Sequence, residues 1–174
     1  MALVLIKEDG SGKADANSYA SVVDGDAYHE GHLYASAWTG ATAGAREKAL
    51  VFATRLINAC FRFNGWRVSE TQALEWPRDW CMDPDGRGAD WVASDLVPRA
   101  VVDATCEMAR ELLVADRTAA PTGEGIDSRF DGTTTVKYSK SDTPPIITRV
   151  AQAMLSRFGS LVSGRSGPVR LVRT

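Results

Sequence analysis

Several residue groupings in the chain have the composition of a chemical site, and spacing decides each. Gly10-Ser11-Gly12-Lys13 resembles a phosphate-cradling loop in composition. That loop requires G-x-x-x-x-G-K-[ST]; the spacing is absent here, and Ala14 stands where a hydroxyl would hold magnesium. Asp83, Asp85 and Gly86 suggest a calcium loop. Aligning Gly86 with that loop's glycine puts Cys81 at the first ligand position and Val92 at the last, so the oxygen ligands fail and a plain turn remains. His29 and His32 could share one side of a helix, but a metal needs further ligands from elsewhere, and surface or capping roles are the favoured reading. No serine is framed by G-x-S-x-G. The expectation is a non-enzyme with no catalytic residue, no cofactor and no metal.

One constellation remains. Trp66, Trp76, Trp80 and Trp91 are interleaved with Arg62, Arg67 and Arg78, and aromatics among arginines can stack the bases of a single strand. Against this, Glu70, Glu75 and Asp79 balance the arginines locally, which favours indoles packed between helices over a basic groove. The segment Gly65 to Arg78, GWRVSETQALEWPR, is therefore read as a structural latch built on Trp66, Trp76, Pro77 and Arg78. Pro77 cannot continue a helix and pushes Trp76 toward an extended backbone. The latch should brace the helices on either side of it.

Those helices are legible from their apolar period. Ala49, Ala53, Leu56, Ile57 and Cys60 recur at helical spacing within Arg46 to Phe63. Pro98 opens a second helix to about Asp116, with Val101, Thr105, Met108 and Leu112 buried and Asp103, Glu107, Arg110 and Arg117 wet. Ser21 and Asp24 form a capping box that starts a helix to about Gly31, with Val22, Val23, Ala27 and Tyr28 as its apolar face. Pro144-Pro145 opens a last helix with Ile147, Val150, Ala151, Met154, Leu155 and Phe158 on one side. Leu3 to Lys7 reads as a strand or extended arm that must pair with something, and Thr133 to Tyr138 as one strand of a flexible hairpin. The expected fold is mainly α: a small bundle of about four helices in a single domain over residues 1–174. Its core spans about 18–162, with an N-terminal arm (1–17), a long polar loop (119–143) and an extended C-terminal tail (163–174).

Bulk composition agrees with one soluble domain. The chain has 174 residues, 44% of them hydrophobic, and a formal net charge of −2, which argues against a dedicated nucleic-acid binder. No acidic residue follows Asp142, so the end of the chain is locally basic. The three cysteines fit no zinc or CxxC spacing and read as free thiols in a reducing cytosol. The sequence MALVLIKEDG lacks a signal peptide's basic region, and no apolar run approaches the roughly 18 residues of a membrane span.

Three blocks in fixed order carry a family likeness: Glu8-Asp9-Gly10-Ser11-Gly12 with Asp15-Ala16-Asn17-Ser18-Tyr19; Thr71-Gln72-Ala73-Leu74-Glu75-Trp76-Pro77-Arg78; and Val97-Pro98-Arg99-Ala100 opening a helix. In these, over roughly residues 3 to 118, the chain resembles the head-to-tail adaptor (head completion, connector) proteins of long-tailed double-stranded-DNA phages. The resemblance implies a virion protein of the head–tail neck, made in the host cytoplasm. It implies a homo-oligomeric, commonly twelvefold ring beneath the portal, contacting the portal protein, a tail-side connector or stopper, and DNA in the channel without reading its sequence. The interface would lie in the tail, at Arg165, Arg170, Leu171, Val172 and Arg173. Some relatives of that family carry the label of DnaT-like single-stranded-DNA-binding protein, which stands as the alternative; such a binder would show a steep salt dependence and lose binding on Trp66→Ala or Trp76→Ala.

Overall fold

The computed structural model describes residues 3–86, 90–119, 128–131, 134–137 and 144–162. Helix α4 (Arg99–Val114) is the axis of the core. Helix α3 (Ala43–Cys60) packs along it, α5 (Arg149–Leu155) lies against another side, and α1 (Val22–Glu30) and the single turn α2 (Ser36–Thr39) close a third. This enclosure explains why α4 buries Val101, Val102, Ala104, Thr105, Cys106, Glu107, Met108 and Ala109 rather than one stripe. Glu107, expected on the wet face, is 4% exposed and accepts from Arg110 at 2.6 Å. A helix covered from several directions has no fully wet face, so its charges survive only in pairs.

The helix signals in the sequence are used. Thr42 and Thr148 cap α3 and α5 through the amides of Ala45 and Ala151. Ser21 caps α1, and Asp24 returns the bond to the Ser21 amide at 2.7 Å. The face of α1 differs from the expected one: Gly25 and His29 are buried, whereas Val23 is 76% exposed. Gly25 has to be glycine because Trp38 lies against it; a Cβ there would sit 2.3 Å from the indole.

The mainly-α expectation is corrected to a mixed α/β architecture. Five helices are joined by three two-stranded antiparallel pairings among the described residues. Strand β1 (Phe61–Phe63) continues directly from α3 and pairs with β6 (Gly159–Leu161), with Arg62 opposite Ser160. Strand β2 (Trp66–Arg67) pairs with β3 (Arg78–Asp79), and β4 (Ser128–Asp131) with β5 (Thr134–Lys137). Strands of two to four residues carry no period of their own, and the partner of β1 comes from a remote part of the chain.

The N-terminal segment is also not a free arm. Asn17 folds it onto its own chain: Oδ1 accepts from the Ile6 amide, and Nδ2 donates to the Val4 carbonyl, each at 2.8 Å. The Glu8 amide donates to Ser18 O at 2.9 Å, and Lys7 reaches Asp24 at 2.7 Å. The edge that the sequence leaves without a partner finds one within the same subunit.

Candidate functional site

The turn from Gly65 to Arg78 is held by buried polar side chains. Gln72, 2% exposed, accepts from the Ser69 amide and donates to the carbonyls of Leu74 and Pro77 at 2.8 and 3.0 Å. The Arg78 guanidinium donates to the carbonyls of Asn64, Gly65 and Glu75, and to the Glu75 carboxylate at 2.7 Å. Tyr19 accepts at its hydroxyl from the amides of Glu75 and Trp76 and donates to Asn58 at 2.6 Å. Trp76, joined to Pro77 by a cis peptide, is fully buried. Its ring meets Phe63 of β1 and Phe158 before β6, both edge-on at 5.7 Å between centroids. Trp76 thus joins the turn to the β1–β6 pair, and Tyr19 ties the turn to Asn58 of α3, where the sequence suggests a brace between the two long helices.

Trp66 is placed differently. It is 57% exposed, as is Trp80, and Trp91 is 45% exposed. Together they form a surface cluster, with Trp66 and Trp80 5.7 Å apart at 33° and Trp80 and Trp91 5.1 Å apart at 63°. Val68 and Met82, 43% and 56% exposed, widen the apolar surface. Two short ribbons carry the rings: β2–β3 supplies Trp66, and a second pairing, Met82 opposite Trp91 with the Val92 amide donating to Cys81 O at 2.8 Å, supplies Trp91.

Trp80, the middle ring, sits between the ribbons with φ +57, the one non-glycine residue at positive φ among those described. A left-handed backbone costs an L-residue roughly 1–2 kcal/mol. Gly65 permits the arrangement: its φ is +71, and a Cβ there would meet Asp79 O at 2.1 Å and the Trp80 carbonyl carbon at 2.9 Å. Exposing an indole and straining the backbone that carries it are both unfavourable for folding. Their coincidence makes this surface the candidate site.

Among the described residues, the β2–β3 ribbon divides its charges between its two sides. Trp66 stands opposite Asp79, and Arg67 opposite Arg78, in the β2–β3 register. Side chains alternate across a strand, so the indole side of this ribbon carries the carboxylate and the other side the guanidinium groups. Arg67 donates to Gln72 O at 3.3 Å, and Arg78 is turned into the latch. Cys81, next to Trp80, is fully buried, and that burial raises its thiol above the ordinary pKa.

The other sequence candidates are absorbed by the fold. The amides of Gly10, Gly12 and Lys13 all donate to the buried Glu8 carboxylate at 2.8–2.9 Å, so the loop that resembled a phosphate cradle encloses an anion of its own chain. Asp83 accepts from the Asp85 amide in a plain turn. His29 is neither a surface nor a capping residue: it is 2% exposed, with Nε2 3.1 Å from Cys106 O. No group of three metal-ligating side chains occurs among the described residues. Arg165, Arg170, Leu171, Val172 and Arg173 lie outside them.

The sequence places Trp66 with Trp76 in the latch, whereas the structure buries Trp76 and leaves Trp66 exposed beside Trp80. Flanking charge does not separate the tryptophans, since Glu75 precedes Trp76 as Asp79 precedes Trp80 and Asp90 precedes Trp91. What separates Trp76 is the pair of phenylalanines that cover it, one of them distant in the chain.

A family model described as "Putative DnaT-like ssDNA binding protein" matches residues 1–174. Among curated proteins and among solved structures, none matches. The family match overturns the resemblance to phage head-to-tail adaptors, and with it the virion, portal-ring and tail-connector expectations. The blocks that carried the resemblance are those that build this subunit's own interior: Glu8 in its loop, Asn17 and Tyr19 as tethers, and Gln72, Trp76 and Arg78 in the latch. Over its whole length, the chain belongs to the DnaT-like single-stranded-DNA-binding family.

Proposed function

We propose that the protein binds single-stranded DNA, without catalysis, on the surface formed by Trp66, Trp80 and Trp91. The observation that carries this is the division of the five tryptophans: Trp38 and Trp76 are buried, while the other three meet at the surface. Exposed aromatic faces stack unpaired bases at about 1–3 kcal/mol per base and tolerate any sequence. Duplex DNA keeps its base faces covered and gains nothing from such a platform.

The charge pattern sets the expected salt response. Single-strand affinity falls with a log–log slope of about −0.7 per neutralised phosphate. With Asp79 on the indole side and Arg67 on the other, one or two phosphate contacts are expected, so the dependence is shallow and not the steep one of a basic groove.

Fluorescence anisotropy of a labelled oligo-dT tests the reading. The wild-type chain should bind saturably with a slope between zero and about −1.5. The Trp66→Ala/Trp91→Ala double variant should lose at least about tenfold in affinity, one base's stacking energy or more, while keeping the wild-type circular dichroism spectrum. Equal binding by the double variant would remove the indole cluster from the mechanism.

A further inference from the structure

Resting on the single-strand reading, we infer that this surface recognises unpaired bases by their faces alone, with Trp80 at its centre, and so takes single-stranded RNA at least as readily as single-stranded DNA. The family description names only single-stranded DNA. Among the described residues, the face carries three indole rings, one apolar neighbour from each ribbon, Val68 and Met82, and the Asp79 carboxylate. Discrimination against RNA requires a group that a 2′-hydroxyl would clash with or leave unpaired. Planar apolar rings meet the base and leave the sugar in solvent, and a carboxylate accepts a hydrogen bond from a 2′-hydroxyl where a deoxyribose has none to offer. Affinity therefore follows the bases, not the backbone.

Two features of the fold place Trp80 at the centre. It is the only ring of the three in contact with both others, and it holds that place at a φ of +57 that tryptophan disfavours. At 5.1 and 5.7 Å between centroids, adjacent rings are in direct contact, which leaves no gap between them for a base. Bases are thus received on the outer faces of a preassembled cluster, and removing the middle ring dismantles both neighbours' support.

The test compares four strands of equal length on the intact chain: oligo-dU, oligo-rU, an abasic phosphodeoxyribose strand and duplex DNA. Oligo-rU should bind within about threefold of oligo-dU or more tightly, and the abasic strand and the duplex at least about tenfold more weakly. Trp80→Gly and Trp80→Asn, both compatible with a left-handed backbone, should lose at least about tenfold on dU and rU alike, and Trp80→Tyr should recover most of it. Unfolding midpoints at or above wild type for the glycine or asparagine variant would place the loss in binding and not in folding. An abasic strand that binds like oligo-dU, a tenfold preference for dU over rU, or undiminished binding by Trp80→Asn would overturn the inference while leaving single-strand binding in place. No binding of oligo-dU by the wild-type chain would overturn both.

Discussion

Tyr19 ties three parts of the chain through one oxygen. Its hydroxyl accepts from the Glu75 and Trp76 amides and donates to Asn58 of α3, and burial pushes its pKa well above the ordinary tyrosine range. Tyr19→Phe keeps the ring and leaves two amides without that acceptor, so it should cost about 1–3 kcal/mol in urea unfolding, with oligonucleotide binding by the folded fraction unchanged. His29 makes a second prediction at this scale. Its Nε2 donates to Cys106 O, its Nδ1 is buried without a partner, and Trp38 and Tyr28 pack on the ring at 5.0 Å. Desolvation lowers its pKa below the ordinary 6.5, outweighing the hydrogen bond to Cys106 O and the Glu107 charge, which act to raise it. The neutral ring is the folded form, so its contribution is complete above pH 6.5 and is lost as pH falls from there toward the lowered folded value. Thermal unfolding followed between pH 7.5 and about 5 should show this decline, and His29→Gln should flatten it.

At the scale of elements, the β2–β3 ribbon is where folding and the site meet. Gly65→Ala puts a Cβ 2.1 Å from Asp79 O at a φ of +71, and should cost more than the roughly 1 kcal/mol of an unhindered substitution at positive φ. It should also change the fluorescence of the indole cluster, because β2 and Trp80 shift together; an unaltered emission spectrum would separate the ribbon from the cluster. The long elements are legible in the sequence. Ala49, Ala53, Leu56 and Ile57 on α3, and the Ser21–Asp24 box on α1, are local signals that tertiary packing leaves intact. The short strands are not legible, since Phe61 to Phe63 becomes a strand only because Gly159 to Leu161 arrives beside it. Burial of Glu107 and His29 is hidden for the same reason: both face α1–α4 contacts that no local period encodes. Of the site, the residue types are visible and the partition is not. The tryptophans read alike until Phe63 and Phe158 cover one of them and leave Trp66, Trp80 and Trp91 outside.

As a whole, the molecule is a helical core around α4 with a tryptophan-bearing ribbon on its surface. The latch stands between the two: Trp76 and Arg78 commit their side chains to the interior, while Trp66 and Trp80 beside them face outward. At a net charge of −2, the proposed single-strand binding would draw its affinity mainly from base stacking. The five indole N–H resonances of a ¹⁵N-labelled chain therefore test the central claim in one spectrum. Titrated with oligo-dT, the signals of Trp66, Trp80 and Trp91 should move together and saturate, while those of Trp38 and Trp76 stay in place. Movement of none of the five, or of Trp38 and Trp76 without the other three, would contradict the account.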